Sequence, residues 1–368
     1  MHPAALSTVI LLTIGVQHCG AANSTLLFMQ GSTQGLGDSK LWSLDLLTMQ
    51  ATERWQSALS TEPRDFSSRG ALCNGVYYTV WWHLVDPVKY AGPRVYGLGA
   101  FSVHSNFSYR EVTLPNDYFG VWCGSEPEEL VVVMSRRPNA DPEEVRDFYV
   151  QTISTATWNV TNVTTTPITA PSDGPLPVAD GAFAYDRESR TMWMSWRIDD
   201  HPEHVNSNSG ATHVLDLATK KDTTFYTPRN DGYFMNSRVA NNGISNSSWA
   251  VLKSYIKKPI SGKEIITLTL ADISLVDGTG SAGAVQVRKV RDVSHTANSD
   301  DLPYGECANG DGTVTLYMLN VDEIDFLNPS FNLSAIDSAT GAVHFNTDLS
   351  AIVGQKFAYT TAFVCVEL

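Results

Sequence analysis

The sequence predicts an all-β fold assembled from a repeated four-stranded unit, and three observations carry that prediction. First, a glycine followed by a short apolar run, a turn and an aromatic-rich strand recurs along the chain. Gly70 opens GALCNGVYYTVWW (residues 70 to 82), and the arrangement returns at Gly120, Gly181, Gly232 and Gly305. Second, the units follow one another with a period of about 50 residues, each divisible into short strands bounded by turn residues. Third, three segments end an apolar strand in Asp-x-x-Thr: WSLDLLT (42 to 48), VLDLAT (214 to 219) and IDSAT (336 to 340). Short strands repeated radially, with few free edges, define a β-propeller.

Taken in order, residues 24 to 30 (STLLFMQ), 40 to 48 and 52 to 55 form three strands that lack an innermost partner. FAYTTAFVCV (357 to 366) supplies it from the far end of the chain, because a last strand that completes the first blade leaves no free edge. Five further blades start near Gly70, Gly120, Gly181, Gly232 and Gly305, so the expectation is a six-bladed propeller closed by pairing the C-terminal strand with the N-terminal strands. Glycine suits the start of an innermost strand, where strands converge on the channel and a bare Cα permits close approach. The second strands carry Tyr77, Tyr78, Trp81, Trp82, Met192, Trp193, Trp196, Trp249 and Tyr317. Such side chains fill the wedge between twisted blades; a carbohydrate platform is the alternative use. The Asp-x-x-Thr segments close tight turns between third and fourth strands through side-chain bonds to the backbone. They resemble the third-strand signature shared by many propeller families, which implies the fold and no particular activity.

Residues 1 to 22 contain no Lys, Arg, Asp or Glu, hold an apolar run from Val9 to Val16, and end in Gly20, Ala21 and Ala22. That run is too short to span a bilayer, so the segment is expected to be a signal peptide cut before Asn23. The remainder, 23 to 368, is expected to form a single domain that is secreted and extracellular. Sequons stand at Asn23, Asn106, Asn159, Asn162, Asn246 and Asn332, as befits a glycoprotein. Four cysteines remain after removal of Cys19, and an oxidising compartment would pair them. Cys73 and Cys123 each stand three residues after a blade glycine, at one register on neighbouring innermost strands. Cys307 would face Cys365 on the closing strand. Bonds Cys73–Cys123 and Cys307–Cys365 are therefore expected.

A formal charge of −14 keeps a protein soluble and repels polyanions, which argues against nucleic acid and anionic membranes as partners. No later stretch has the length and apolarity of a membrane span. The expected product is a monomer whose partner is an extracellular ligand or protein.

Loops carry function on a rigid scaffold. Residues 161 to 178 are rich in Thr and Pro and predict an exposed, glycosylated loop. Residues 274 to 303 form an apparent insertion in which Gly278, Gly280 and Gly283 keep G-x-G-x-x-G spacing; no βαβ unit surrounds them, so dinucleotide binding is not expected. Asp141 to Glu144 could cap a short helix. No G-x-S-x-G, H-E-x-x-H, P-loop or paired C-x-x-C motif is present.

Two acidic groupings survive. Asp199, Asp200, His201, Glu203 and His204 crowd a loop between second and third strands, where carboxylates and imidazoles could hold a divalent ion; a solvated loop is the plainer reading. Asp117, Asp180, Asp231, Asp300 and Asp301 precede blade glycines. Fourth-to-first and second-to-third loops share one face of a propeller, the channel mouth, so these acids converge there with His83, and His295 beside them. Asp117, Asp180, Asp231, Asp301 and His83 are thus candidate ligand-binding residues, and Asp180, Asp231, Asp200, His201 and His204 candidate metal ligands, Ca²⁺ being the cofactor the carboxylates suit. Simple turn formation accounts for the same acids. Without a complete catalytic constellation, binding at the channel-mouth face is the leading function. A Ca²⁺-assisted hydrolase or lactonase is the alternative, and a structural matrix or coat component a third.

Overall fold

The computed structural model describes residues 24–31, 39–57, 65–85, 93–136, 147–164, 168–169, 182–198, 209–227, 233–238, 248–257, 264–276, 282–296, 304–308, 314–322, 330–337, 340–353, 359–360 and 363–367. It is an all-β propeller. The first sheet starts with β1 (Ser24–Gly31), β2 (Lys40–Asp45) and β3 (Gln50–Gln56). The second is β4 (Asp65–Cys73), β5 (Val76–Leu84), β6 (Arg94–Ser102) and β7 (Ser108–Leu114), with a 3-10 turn at Val103–Ser105. The third holds β8 (Asp117–Cys123), β9 (Glu129–Arg136), β10 (Asp147–Ser154), β11 (Val160–Asn162) and β12 (Ile168–Thr169). Here the stretch expected to be a loop after Thr161 departs from expectation, since β11 and β12 both pair with β10.

Next come β13 (Ala182–Asp186), β14 (Thr191–Ile198), β15 (Ser209–Asp216), β16 (Asp222–Thr227), β17 (Tyr233–Arg238), β18 (Ser248–Lys257), β19 (Glu264–Val276) and β20 (Ala282–Thr296). All eight belong to one sheet, ordered β13-β14-β15-β16-β20-β19-β18-β17. The last sheet is β21 (Tyr304–Ala308), β22 (Val314–Asp322), β23 (Ser330–Asp337) and β24 (Val343–Asp348). A short helix α1 (Leu349–Val353) then leads to β25 (Tyr359–Thr360) and β26 (Val364–Glu367).

Counted by hydrogen bonding among the described residues there are five sheets, hence five blades, where the sequence predicts six. The reason is local. Thr224, Phe225 and Tyr226 of β16 pair in parallel with Ala282, Gly283 and Ala284 of β20, joining two repeats edge to edge. The stretch from residue 274 that resembles an insertion is mostly strand, the end of β19 and all of β20. The C-terminal strand does return to the first sheet: β26 pairs with β1 antiparallel, from Ser24↔Glu367 to Leu27↔Val364. Among the described residues no ladder joins one sheet to the next, however, so the ring is not closed by hydrogen bonds.

Side-chain packing joins the sheets instead. Among the described residues, the middle strands β1, β5, β9 and β14 are buried on both faces, and β1 is the extreme case, with Leu26, Leu27 and Phe28 at 0% exposure. Its alternate side chains serve two interfaces: Leu26 and Phe28 pack with Tyr317 and Leu333 of the last sheet, Leu27 and Met29 with Phe66, Tyr77 and Trp81 of the second. Tyr78, Leu98, Val121 and Leu130 join the second sheet to the third, and Val131, Phe148, Phe183 and Met192 the third to the fourth. Burial on this scale supplies the main stabilising term, at about 25 cal/mol per Å² of apolar surface removed from water. Two disulfides staple it, Cys73–Cys123 and Cys307–Cys365, each with Cα atoms 5.5 Å apart and each joining neighbouring innermost strands, as the cysteine register predicts.

The blade glycines sit differently from expectation. β4 and β8 begin before them, at Asp65 and Asp117, and the pairing register slips between Phe66 and Gly70 and between Tyr118 and Gly120. There the glycine marks an irregularity inside the strand, where two extra residues must be accommodated before Gly70 and one before Gly120.

Candidate functional site

The two ends of the propeller differ in their connections. At one end lie the tight turns, residues 46–49, 74–75, 103–107, 124–128, 155–159, 187–190 and 217–221. Neighbouring turns hold one another: Val103 N–H donates to Gly75 O, Thr155 N–H to Glu128 O, and Asn74 Nδ2 to Pro127 O at 2.6 Å across two blades. Three of these turns are closed by an aspartate. Asp45 Oδ1 accepts from Leu47 N (2.8 Å) and Thr48 N (2.9 Å), Asp216 Oδ1 from Ala218 N (2.8 Å) and Thr219 N (3.0 Å), and Asp186 Oδ1 from Glu188 N (3.0 Å). In the last sheet Asp337 Oδ1 accepts from Thr340 N at 2.7 Å. The Asp-x-x-Thr segments thus build the turns their spacing predicts. Backbone donors, chiefly those of Thr48 and Thr219, hold the Asp45 and Asp216 carboxyls below the ordinary value of 3.8.

The other end is marked by the strand ends Gly31 and Lys40, Gln56 and Asp65, Leu84 and Arg94, Leu114 and Asp117, Arg136 and Asp147, and Ile198 and Ser209; it is the end at which the sequence predicts the channel mouth. Asp117 opens β8, opposite Ser135, and so lies inside a strand rather than on the loop before it. Asp180, Asp231, Asp301, Asp200, His201 and His204 lie outside the described residues, as do Asp300 and the expected helix at 141 to 144. His295 is placed on β20, opposite Thr267. Among the described residues no three His, Cys, Asp or Glu side chains come together as metal ligands.

His83 belongs to β5, not to a loop. It is buried, its ring stacked on Trp81 with centroids 5.8 Å apart and its Nδ1 3.0 Å from Leu84 O. Beside it the mouth carries a pair that sequence reasoning missed: the Arg94 guanidinium lies 4.0 Å over the Trp82 ring. Leu84↔Arg94 pairing fixes that geometry, since Trp82 and Arg94 then stand diagonally across adjacent strands, and an aromatic two residues before the pair was the available signal. Val85, 60% exposed, completes an apolar and cationic margin.

One buried polar chain reaches from the third sheet toward the same end. Tyr118 O–H donates to Gln151 Oε1 (3.0 Å), and Gln151 Nε2 donates to Asn162 Oδ1 (2.6 Å). Burial pushes the Tyr118 phenol up to about 12, partly offset by Asn116, so it remains a donor at neutral pH. The chain satisfies buried groups and offers no reactive nucleophile.

No protein-family model matches the chain, and no curated protein matches it. Solved structures do resemble it. TolB from Acinetobacter baumannii superposes with a TM-score of 0.54 at 9% identity, covering 93% of this chain and 66% of that one. This chain thus spans just under two thirds of that TolB's length. A putative TolB from Agrobacterium tumefaciens gives 0.44 at 11% identity, covering 93% of this chain and 99% of that one. The periplasmic gluconolactonase of Pseudomonas aeruginosa gives 0.46 at 10% identity with the same coverages, 93% and 99%. At such identities the likeness shows the fold: the chain is a β-propeller protein. No helix among the described residues is long and apolar enough to cross a membrane.

Proposed function

We propose that this is an exported propeller that binds an extracellular ligand or protein partner at its channel-mouth face. The observation that carries the reading is the asymmetry of the connections. At the mouth end, the strand ends Leu84 and Arg94, Arg136 and Asp147, and Ile198 and Ser209 are separated by more of the sequence than the strand ends joined by the self-contained turns opposite. Length beyond what a turn requires is where binding surfaces are built on a rigid scaffold. The Trp82–Arg94 pair adds an aromatic plane and a positive charge to that margin. Two disulfides support export, because such bonds persist in oxidising compartments.

The test is a screen of the purified full chain against immobilised glycans and extracellular proteins, repeated with Trp82→Ala plus Arg94→Ala and with Asp117→Asn plus Asp180→Asn plus Asp231→Asn. Binding lost in either mouth variant, with the melting profile unchanged, is the expected result. Binding that survives both variants would refute the assignment of the face. A stoichiometric, tightly held Ca²⁺ removed by the aspartate substitutions, together with lactone hydrolysis, would instead establish the metal-assisted hydrolase. Self-association at micromolar concentration would favour the structural role.

A further inference from the structure

We infer that Asn106 and Asn159 carry Asn-linked glycans, placed so that they cover the rim of the tight-turn face and leave the channel mouth free. The inference rests on the export reading above and adds which side chains are modified and what that does to the two faces.

Both asparagines lie in hairpins that join third to fourth strands of adjacent sheets, Asn106 between β6 and β7 and Asn159 between β10 and β11. Both sequons share one local geometry. In Asn106-Phe107-Ser108 the outer two residues are exposed, while Phe107 is 5% exposed, packs in the cluster between the first two sheets, and lies under the Arg54 guanidinium at 5.3 Å. In Asn159-Val160-Thr161 the asparagine and threonine are again exposed, and Val160 packs against the cluster between second and third sheets. The middle residue anchors the turn, so the asparagine is held outward by the core and not merely left outside it. Asn106 itself sits in the left-handed region (φ 51°, ψ 42°), a conformation asparagine tolerates in turns.

The other described sequons are used differently. Asn162 is exposed, but its Oδ1 is engaged as acceptor from the buried Gln151, and Thr164 is buried with its hydroxyl accepting from Val150 N at 3.1 Å. Asn332 lies within β23 between Asn320 and Asp348, half-buried, and is followed by the fully buried Leu333. These asparagines serve their sheets, whereas Asn106 and Asn159 stand clear of them.

The modification transfers an oligosaccharide from a lipid diphosphate donor of the export pathway. The side-chain Nδ2 forms a bond to the first sugar's C1, the C1–oxygen bond to the diphosphate breaks, and the amide proton leaves to a base. A glycan is bulky, hydrophilic and surface-bound. Two of them on neighbouring outer corners exclude macromolecules from that end of the second and third sheets, which leaves the mouth face as the accessible docking end.

The experiment expresses the full chain in a eukaryotic secretory cell line, digests the protein with peptide-N-glycosidase F in heavy-oxygen water, and maps the peptides. Conversion of Asn106 and Asn159 to labelled Asp is expected, with Asn332 unconverted. Asn106→Gln and Asn159→Gln should each remove one glycan step in gel mobility, and the double variant two. Protein found in the medium with either asparagine unmodified overturns the inference and leaves export standing. Protein that never leaves the cytosol, unmodified at both, overturns the inference and the export reading together. Should a glutamine variant fail to fold, occupancy in the parent chain still decides.

Discussion

At the scale of single residues, the turn aspartates and one glycine make the most direct claims on stability. Asp45 and Asp216 accept two backbone N–H bonds each, and only the ionised carboxylate uses them fully. Their folded values lie below the ordinary 3.8. The stability they contribute is therefore present in full above that value and lost as pH falls through the lowered folded one. Asparagine keeps the acceptor oxygen without the charge. The expected outcome for Asp45→Asn plus Asp216→Asn is a lower melting temperature than the parent at neutral pH, with the gap narrowing below about pH 4. A gap that stays constant across a pH series would show that charge plays no part in these turns. Gly305 is constrained by space: a Cβ there would collide with the carbonyl oxygen of Phe363. Relief by backbone movement is opposed by the Cys307–Cys365 bond beside it. Gly305→Ala should destabilise by about 1 to 3 kcal/mol, measured by urea unfolding.

At the scale of elements, the sequence made the strands and hairpins of the first three sheets legible because each is local: a short apolar run, a turn residue, a second run. The union of two repeats into one sheet has no such signal. It rests on the three parallel pairs between β16 and β20, whose partners lie far apart in the chain, and nothing in the Ala282-Gly283-Ala284 start of β20 announces them. That strand also alternates imperfectly, its register slipping between Asp292 and Ser294 and between Lys289 and Arg291 where it faces Leu268/Thr269 and Leu270/Ala271 of β19, so its period resembles a loop more than a ladder. The candidate site was less legible still. Its acids stand in sequence surroundings that suit turn formation and ligand binding equally, Asp117 proves to open a strand, and the Trp82–Arg94 contact depends on cross-strand register rather than sequence neighbourhood. Cysteine register, by contrast, carried long-range information. Non-reducing peptide mapping should recover Cys73–Cys123 and Cys307–Cys365. Replacing both members of the second pair with serine should cost about 2 to 4 kcal/mol through release of loop entropy in the unfolded chain.

At the scale of the whole molecule, the question is what holds a ring together that hydrogen bonds do not close. Neighbouring sheets meet through side chains, and the first sheet occupies a special position because its strands come from both ends of the chain. β1 lies at its centre, its side chains split between the interfaces to the last and second sheets. One of its edges is paired with β2, the other with β25 and β26. Phe363 adds an edge-on contact with Phe28, ring centroids 5.4 Å apart, and packs in the same cluster as Leu333 and Leu349. Deleting residues 357 to 368 would therefore strip one edge of β1, remove Phe363 from the interface with the last sheet, and leave Cys307 without its partner. The bared edge belongs to a strand that is apolar on both faces, the arrangement most prone to pair with another chain. Loss of the disulfide alone removes only the staple and leaves the ladder from Ser24↔Glu367 to Leu27↔Val364 intact. The truncated chain should accordingly be less stable than the variant with serine at 307 and 365, and size-exclusion chromatography should find it in aggregates while the disulfide variant elutes as the parent does. A truncated chain that elutes as a stable monomer would show that packing between sheets suffices without the returning strand.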